Sequence, residues 1–575
     1  MHTERGGERL SHRTSVTSRT AHRAVAPARR CCATRASSAR FAQRALTGAR
    51  VSPSFAAGVP LAQRAGAARR TAAASSLLDS LISKVIHMTL SSSSRRLRRG
   101  LTGAIGVVCL VSLAACSTSN GNHGTGGHGG SGGAGGSGAG SSGGTGGSGG
   151  HGGTGGGDTG PAHWSRAVGK AVQGVATAED GRVLVAGTFE GSMDLGGGPI
   201  QAQKPDTIFV ASFDTKGHHV FSKAFGGSGY AYVSKVVADG QGNLLASGYF
   251  LSSIDFDGTK LTAPTYGTFV VKLDGEGHVL WAKQLPSSDS ATSPQVATNT
   301  AGDVMVTGLS DAPFDFGGGT VNLSGAPFVA KYDASGKHVY SRRLTTATSD
   351  GEVETKAIAV SASGAAVVVG SYSGYPDFGG GELPGAFGIG GFVVEVDGSG
   401  NHVFSTGHDQ LLAQTAAFDG AGNVVVGSTV FVGVSPTAIQ ISKLGGTGVE
   451  VWSKTLAAQN DGSVYVFGVS VDAAGAVGLT GTFWGGLDFG TMQLPSKPDV
   501  TSSDVYVAKL DAEGKALYSA VLSGPGSEMP YDVALSRDGE LVAVGSYGES
   551  LDFDGQSMLE GDQETTSGFV AKMVP

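Results

Sequence analysis

Two short stretches set paired carboxylates beside a glycine, Asp255-Phe-Asp-Gly258 and Asp552-Phe-Asp-Gly555. In an extended chain the two acids of each point to the same side. A calcium site needs six or more oxygens, so each pair reads as a turn with a polar edge rather than a cage. A lysine recurs in Phe-Val-Ala-Lys segments, and an aspartate recurs in Asp-Phe-Gly-like segments at Asp194, Asp255, Asp315, Asp377, Asp488 and Asp552. The two are lost independently: Ser212 and Glu395 replace the lysine where Asp194 and Asp377 are kept, and Lys443 stays where the aspartate is missing. Pairing between them is expected to be optional. His218, His219, His278, His338 and His402 mostly come just after a turn glycine and are expected to be exposed. Trp164, Phe221, Trp281, Tyr340, Phe404, Trp452 and Tyr518 could stack on sugars. One aromatic per unit at a fixed strand position is better explained by packing between units. No Ser-His-Asp arrangement or His/Cys metal spacing stands out, and glycine-loop matches mean nothing among 96 glycines. No catalytic residue, cofactor site or metal site is therefore assigned.

The four cysteines, Cys31, Cys32, Cys109 and Cys116, all precede residue 117. The chain from residue 117 onward therefore has no disulfide and no thiolate metal site, and its stability must come from packing. Residues 1–87 are rich in Arg, Ala and Ser and carry a net charge of +12. A transit peptide has this composition, as does a translated stretch upstream of the true start. The next segment favours the second reading. Met88 opens a run with Arg95, Arg96, Arg98 and Arg99, and an apolar stretch from Leu101 to Ala115 comes after it. That stretch is short for a bilayer span and right for a signal peptide. It ends in Leu113-Ala114-Ala115-Cys116, which resembles the lipobox of bacterial lipoproteins. The resemblance implies lipid attachment at Cys116 and a signal peptide over 88–115, with translation starting at Met88. Residues 116–160 then form a Gly-rich disordered tether; glycine fills 24 of positions 117–160, and such a coil reaches about 35–40 Å. Its His123, His128 and His151 read as solvated tether residues.

The elements that must position any site lie in residues 161–575, which repeat with a period near 60. One unit reads Phe269-Val-Val-Lys-Leu-Asp274, then Gly277, then Trp281-Ala-Lys283; the next reads Phe328-Val-Ala-Lys-Tyr-Asp333, then Gly336, then Tyr340-Ser-Arg342. The pattern recurs from Phe209, Phe392, Ile439, Val505 and Phe569, giving seven copies. Each is preceded by an apolar run such as Gly242-Asn-Leu-Leu-Ala-Ser-Gly248, and by a Val/Ala run such as Val353–Val360. Four short strands per unit, repeated radially, predict an all-β fold: a seven-bladed β-propeller of four-stranded antiparallel blades. The last unit stops at Phe569-Val-Ala-Lys-Met573 without a fourth strand, and His163-Trp164-Ser165-Arg166 is an orphan fourth strand. The N-terminal strand is expected to complete the last blade and close the ring. The fifth unit, near 410–455, is shorter, with Val430-Phe-Val-Gly433 in place of the Asp-Phe-Gly motif and Gly445 in place of the turn aspartate. The fourth carries extra residues around Gly385–Gly391.

These repeats resemble the bacterial SBBP repeat, a family named for seven-bladed β-propellers, over the whole of 161–575. The resemblance is informative about fold and says little about activity. Beyond residue 115 the chain carries −22, which disfavours nucleic acid as a partner. The expected function is a membrane-anchored lipoprotein of the cell envelope, held to the outer membrane. It would display a monomeric propeller as a binding module for a protein or glycan ligand at its loops. Segments near 287–292, 345–354 and 499–504 are candidate loops. The alternatives are a polysaccharide- or ester-acting lyase or hydrolase at the central mouth, or a structural surface protein without a specific ligand.

Overall fold

The computed structural model describes residues 162–575 except 288–292, 347–350, 491–492, 496–502, 527, 554–557 and 562–565. Cys116, the signal segment and the tether lie outside the described residues, as do 288–292, 347–350 and 499–502 of the candidate loop segments.

Seven antiparallel sheets, each with four consecutively paired strands, make the blades. The strand nearest the axis comes first: Ala171–Thr177, Ala231–Ala238, Gln295–Thr298, Val353–Val360, Leu411–Phe418, Ser463–Val471 and Met529–Leu535 for blades one to seven. The second and third strands are the most buried. In blade one, Val183–Phe189 and Thr207–Phe213 are buried at every position, because both faces of an interior sheet meet a neighbour. Seven apolar clusters fill the seven spaces between blades. One joins Leu184, Ala186 and Ile208 of blade one to Val236, Ala246 and Phe269 of blade two. Another joins Val172, Val185 and Phe209 of blade one to Val542, Val544 and Val570 of blade seven.

The ring closes as the repeat count requires. Ala162–Ala167 pairs antiparallel with Ser567–Met573, matching Trp164 with Lys572, Ser165 with Ala571 and Arg166 with Val570. The closing strand also grips blade one. Trp164 Nε1 donates to Thr215 O at 3.3 Å, its ring lies 5.8 Å from that of Phe213, and the Arg166 guanidinium sits over Phe213. The outer-strand aromatic does the same work elsewhere: Trp164, Phe221, Trp281, Tyr340, Phe404 and Trp452 lie against Gly217, Gly277, Gly336, Gly400, Gly448 and Gly514 of the next blade. Those glycines hold φ between +76° and +87°, and the ring leaves no room for a Cβ. The aromatic series is therefore inter-blade packing.

The lysines pair with acids other than the Asp-Phe-Gly aspartates. Lys272, Lys331, Lys443 and Lys572 bond Asp239, Asp303, Asp419 and Glu540 at 2.7–2.8 Å. Each acid stands in the turn between the first two strands of the same blade, not in the Asp-Phe-Gly motif. At that turn the loss is concerted: where Ser212 or Glu395 replaces the lysine, the turn offers Ala178 and Arg182, or Ser361 and Ala365, and no acid at either position. The lysines of blades two, five and seven also donate to the outer turn of the next blade, at Ala334 O, Ala512 O and Thr215 O. Each of these three ion pairs thus stitches two blades.

The Asp-Phe-Gly motifs build small flaps between second and third strands. Asp194, Asp315 and Asp377 each accept the amides two and four residues on, as in Gly196 and Gly198 for Asp194. This is the Asx-turn use of aspartate. The flap glycines also cover histidines, which corrects the reading of these as exposed turn residues. His219, His338 and His402 are half-buried under Gly197, Gly318 and Gly380, and each Nε2 bonds a serine at 3.1 Å. Of the five, only His218 and His278 are exposed, each hydrogen-bonded to its turn aspartate. Asp255 accepts the Gly258 amide, and Asp257 pairs with Lys223. Blade five omits the flap and turns tightly between Val424–Val432 and Ser435–Leu444. Blade seven lends its flap, Ser550–Phe553 and Met558–Glu560, to the outer strand of blade six.

Candidate functional site: a tyrosine-lined cavity at the mouth

The innermost strands begin at one end of the ring, and the loops from second to third strand and from blade to blade gather at that same end. There, where blades seven, one and two meet, a cavity of about 370 Å³ opens. Its wall includes Lys170, Gln173, Asp206, Tyr230, Tyr232, Tyr249 and Tyr531.

A backbone irregularity aims two of these groups. The first-strand pairing skips one residue at the same register in six blades, leaving Gln173, Ser234, Lys356, Gln414, Phe467 and Tyr531 unmatched. A bulge bends its strand and re-aims a side chain. Gln173 and Tyr531 are bulge residues and both reach the cavity. One residue further on, Gly174 leaves blade one without a side chain. Lys235 of blade two bonds both carboxylate oxygens of Asp532 in blade seven at 2.8 Å. The ion pair ties together the two blades that flank blade one.

Gln173 is 5 % exposed. Its Nε2 donates to Thr188 Oγ1 at 3.1 Å, but its Oε1 is buried and has no hydrogen-bond partner among the described residues. Opposite stand the tyrosines. Tyr232 and Tyr249 stack with centroids 5.4 Å apart and planes 18° apart. Tyr266 meets Tyr249 edge-on and accepts a hydrogen bond from the Tyr230 hydroxyl at 2.8 Å. The Ser546 hydroxyl donates to Tyr531 Oη. The bond to Tyr266, with burial, pushes the Tyr230 hydroxyl up to about 12. Burial, with Tyr531 nearby, raises that of Tyr232, and burial raises Tyr249. These hydroxyls stay protonated at neutral pH, so they donate hydrogen bonds and do not serve as bases. At the rim Lys170 bonds Glu190 at 2.8 Å and Asp206 at 3.0 Å. The bond to Glu190 outweighs desolvation and raises the ammonium above its ordinary value.

No protein-family model matches the chain, and no curated protein matches it by sequence. Among solved structures it is similar to the Dos1 propeller, at 10% identity and a TM-score of 0.37 over 70% of this chain and 92% of that one. It is also similar to hydrazine synthase of Kuenenia stuttgartiensis, at 12% identity and 0.36 over 65% and 92%, and to the C-terminal WD40 domain of Sif2, at 10% and 0.35 over 71% and 96%. The sheet order, not these likenesses, defines the propeller.

The aromatic series singled out in the sequence lies on the outer strands, away from this cavity. The cavity tyrosines come from blades two and seven and share no repeat position, so no repeat pattern marks them. A usable signal was the polar residue inside apolar first strands, as in Val172-Gln-Gly-Val175.

Proposed function

We propose that this chain is a cell-envelope lipoprotein, anchored through Cys116 and built of SBBP-type repeats. Its propeller works as a ligand-binding module with the site at the cavity between blades seven, one and two. The observation that carries the binding role is Gln173, a buried amide on that cavity's wall whose Oε1 has no hydrogen-bond partner among the described residues. A buried acceptor left unpaired costs about 1–3 kcal/mol, and a ligand that donates to it recovers that cost. The rigid ring supports the role, since a site on packed strands is held in place before the ligand arrives. The cavity chemistry suits holding rather than cleaving. Glycoside hydrolysis uses two carboxyl groups about the scissile bond, whereas the only carboxylate on the described wall, Asp206, is engaged by Lys170.

The test is to incubate the full chain with cell-wall and extracellular polymers and to track both retention and polymer length. Retention with unchanged length is expected; shortening would overturn the module in favour of the enzyme. For the anchor, cells expressing the chain are fed a radiolabelled fatty acid. Label is expected on the chain and absent from Cys116→Ala, and equal labelling would refute the anchor.

A further inference from the structure

We infer that the ligand of this cavity is an uncharged sugar ring of a polysaccharide. The inference rests on the proposed binding role and names its ligand class. Three properties of the wall lead to it. The first is electrical: Lys170 and Asp206 are the charged groups on the described wall, and they bond each other at 3.0 Å. Their opposite charges offset one another, so neither an anionic nor a cationic ligand meets an unbalanced partner on the described wall. Glu190, on the far side of Lys170, further occupies the ammonium.

The second property is the donor and acceptor pattern. Gln173 Oε1 needs a donor. The Tyr232 and Tyr249 hydroxyls stay protonated, so each can donate one hydrogen bond and accept others, while Tyr230, whose proton goes to Tyr266, can accept. A hydroxyl group does both jobs at once, giving its proton to Gln173 and receiving one from a tyrosine. A purely apolar ligand would leave the buried amide oxygen unpaired. The third property is shape. Tyr232 and Tyr249, stacked on one another with Tyr266 edge-on to Tyr249, give the wall an aromatic surface. The face of a pyranose ring is a layer of C–H groups bordered by hydroxyls. It lays apolar surface on aromatic rings while its rim reaches the polar atoms. Nucleic-acid bases also stack, but their phosphates face a chain that carries −22 beyond residue 115.

The experiment is calorimetric titration of the full chain with two panels of soluble probes. One holds neutral oligosaccharides (malto-, cello-, xylo- and manno-oligomers) and their acidic counterparts (oligogalacturonate and oligoalginate). The other holds uncharged tyrosine- and serine-rich peptides. Gln173→Leu and Tyr232→Ala are compared with Tyr375→Ala, which changes a tyrosine at the same end of the ring outside the described cavity wall. Melting curves first establish that each variant is folded. The expected result is that a neutral oligosaccharide binds, that Gln173→Leu and Tyr232→Ala each weaken it at least tenfold, and that Tyr375→Ala leaves it unchanged. If only acidic oligosaccharides or peptides bind, and Tyr232→Ala abolishes that binding, the sugar inference is overturned and the binding module stands. If Tyr232→Ala and Gln173→Leu alter the binding of no probe, both are overturned.

Discussion

Among the described residues, Lys272 and Asp239 are the most deeply placed ion pair of the ring, with side chains 2 % and 0 % exposed. Burial works against the Asp239 charge, but the Lys272 ammonium and the Asn243 amide outweigh it and hold the carboxyl below its ordinary range. Removing one partner of such a pair strands the other. Lys272→Met should therefore lose about 3–5 kcal/mol in denaturant unfolding. The double variant with Asp239→Asn should lose less than the two single losses added together. Blade four shows the opposite case. Glu395 stands at the lysine position, its Oε2 is buried without a hydrogen bond, and burial pushes the carboxyl up to about 6 from 4.5. A raised acid is tolerated when protonated and penalised when ionised. Its favourable share of stability is present below about pH 4.5 and lost as the pH rises through 6, an effect of about 2 kcal/mol. Glu395→Gln should thus gain roughly that much on the wild type between pH 4.5 and 7.5, read from unfolding midpoints at each pH. An equal difference at both values would remove Glu395 from the account.

Among the elements, the closing strand carries the most consequence. Ala162–Ala167 gives blade seven its fourth strand and packs Trp164 and Arg166 onto Phe213 of blade one. Deleting residues 161–167 should lower the melting temperature strongly and expose the edge of Ser567–Met573 to pairing with other chains. An unchanged melt would refute the closure. Gly217 tests the same joint gently. A Cβ there would stand 2.6 Å from the Trp164 ring at a φ of +79°. Gly217→Ala should cost about 1–3 kcal/mol, and Trp164→Leu should relieve part of it. The first-strand bulge belongs to this scale too, because it turns Gln173 and Tyr531 toward the mouth. Gly174→Ala would push a methyl into Val236, the neighbour of Lys235, so it should weaken both the fold and ligand binding.

For the whole molecule, seven apolar clusters at seven interfaces make every blade depend on two neighbours. A linear stack of repeats can unfold from its ends, whereas a closed ring has no end to fray. The propeller should melt in one transition, and the deletion of 161–167 should broaden it. Charge acts at this scale as well. With −22 beyond residue 115, the propeller should not be retained on duplex DNA at about 0.1 M salt.

The order of residues along the chain was enough to determine the seven blades, the strand order and the site of closure. These arise from turn residues and apolar runs that recur locally, so each unit states its own strands. The same pattern marked the fifth blade as deviant and the outer aromatics as packing groups. One reading was incomplete and one failed, because a partner's identity is a matter of distance. The lysines met acids from a different turn than their nearest motif offered, and three histidines slid under the glycines of a flap. The cavity was out of reach for the same reason: Gln173, Tyr232 and Tyr531 come from blades one, two and seven, and only ring closure brings blade seven beside blade one. Strand register in each blade was legible, but the bulge that swings Gln173 toward the mouth is a break in that register. Local pattern fixes what each strand buries; which polar groups converge where blades meet is decided by the closed ring.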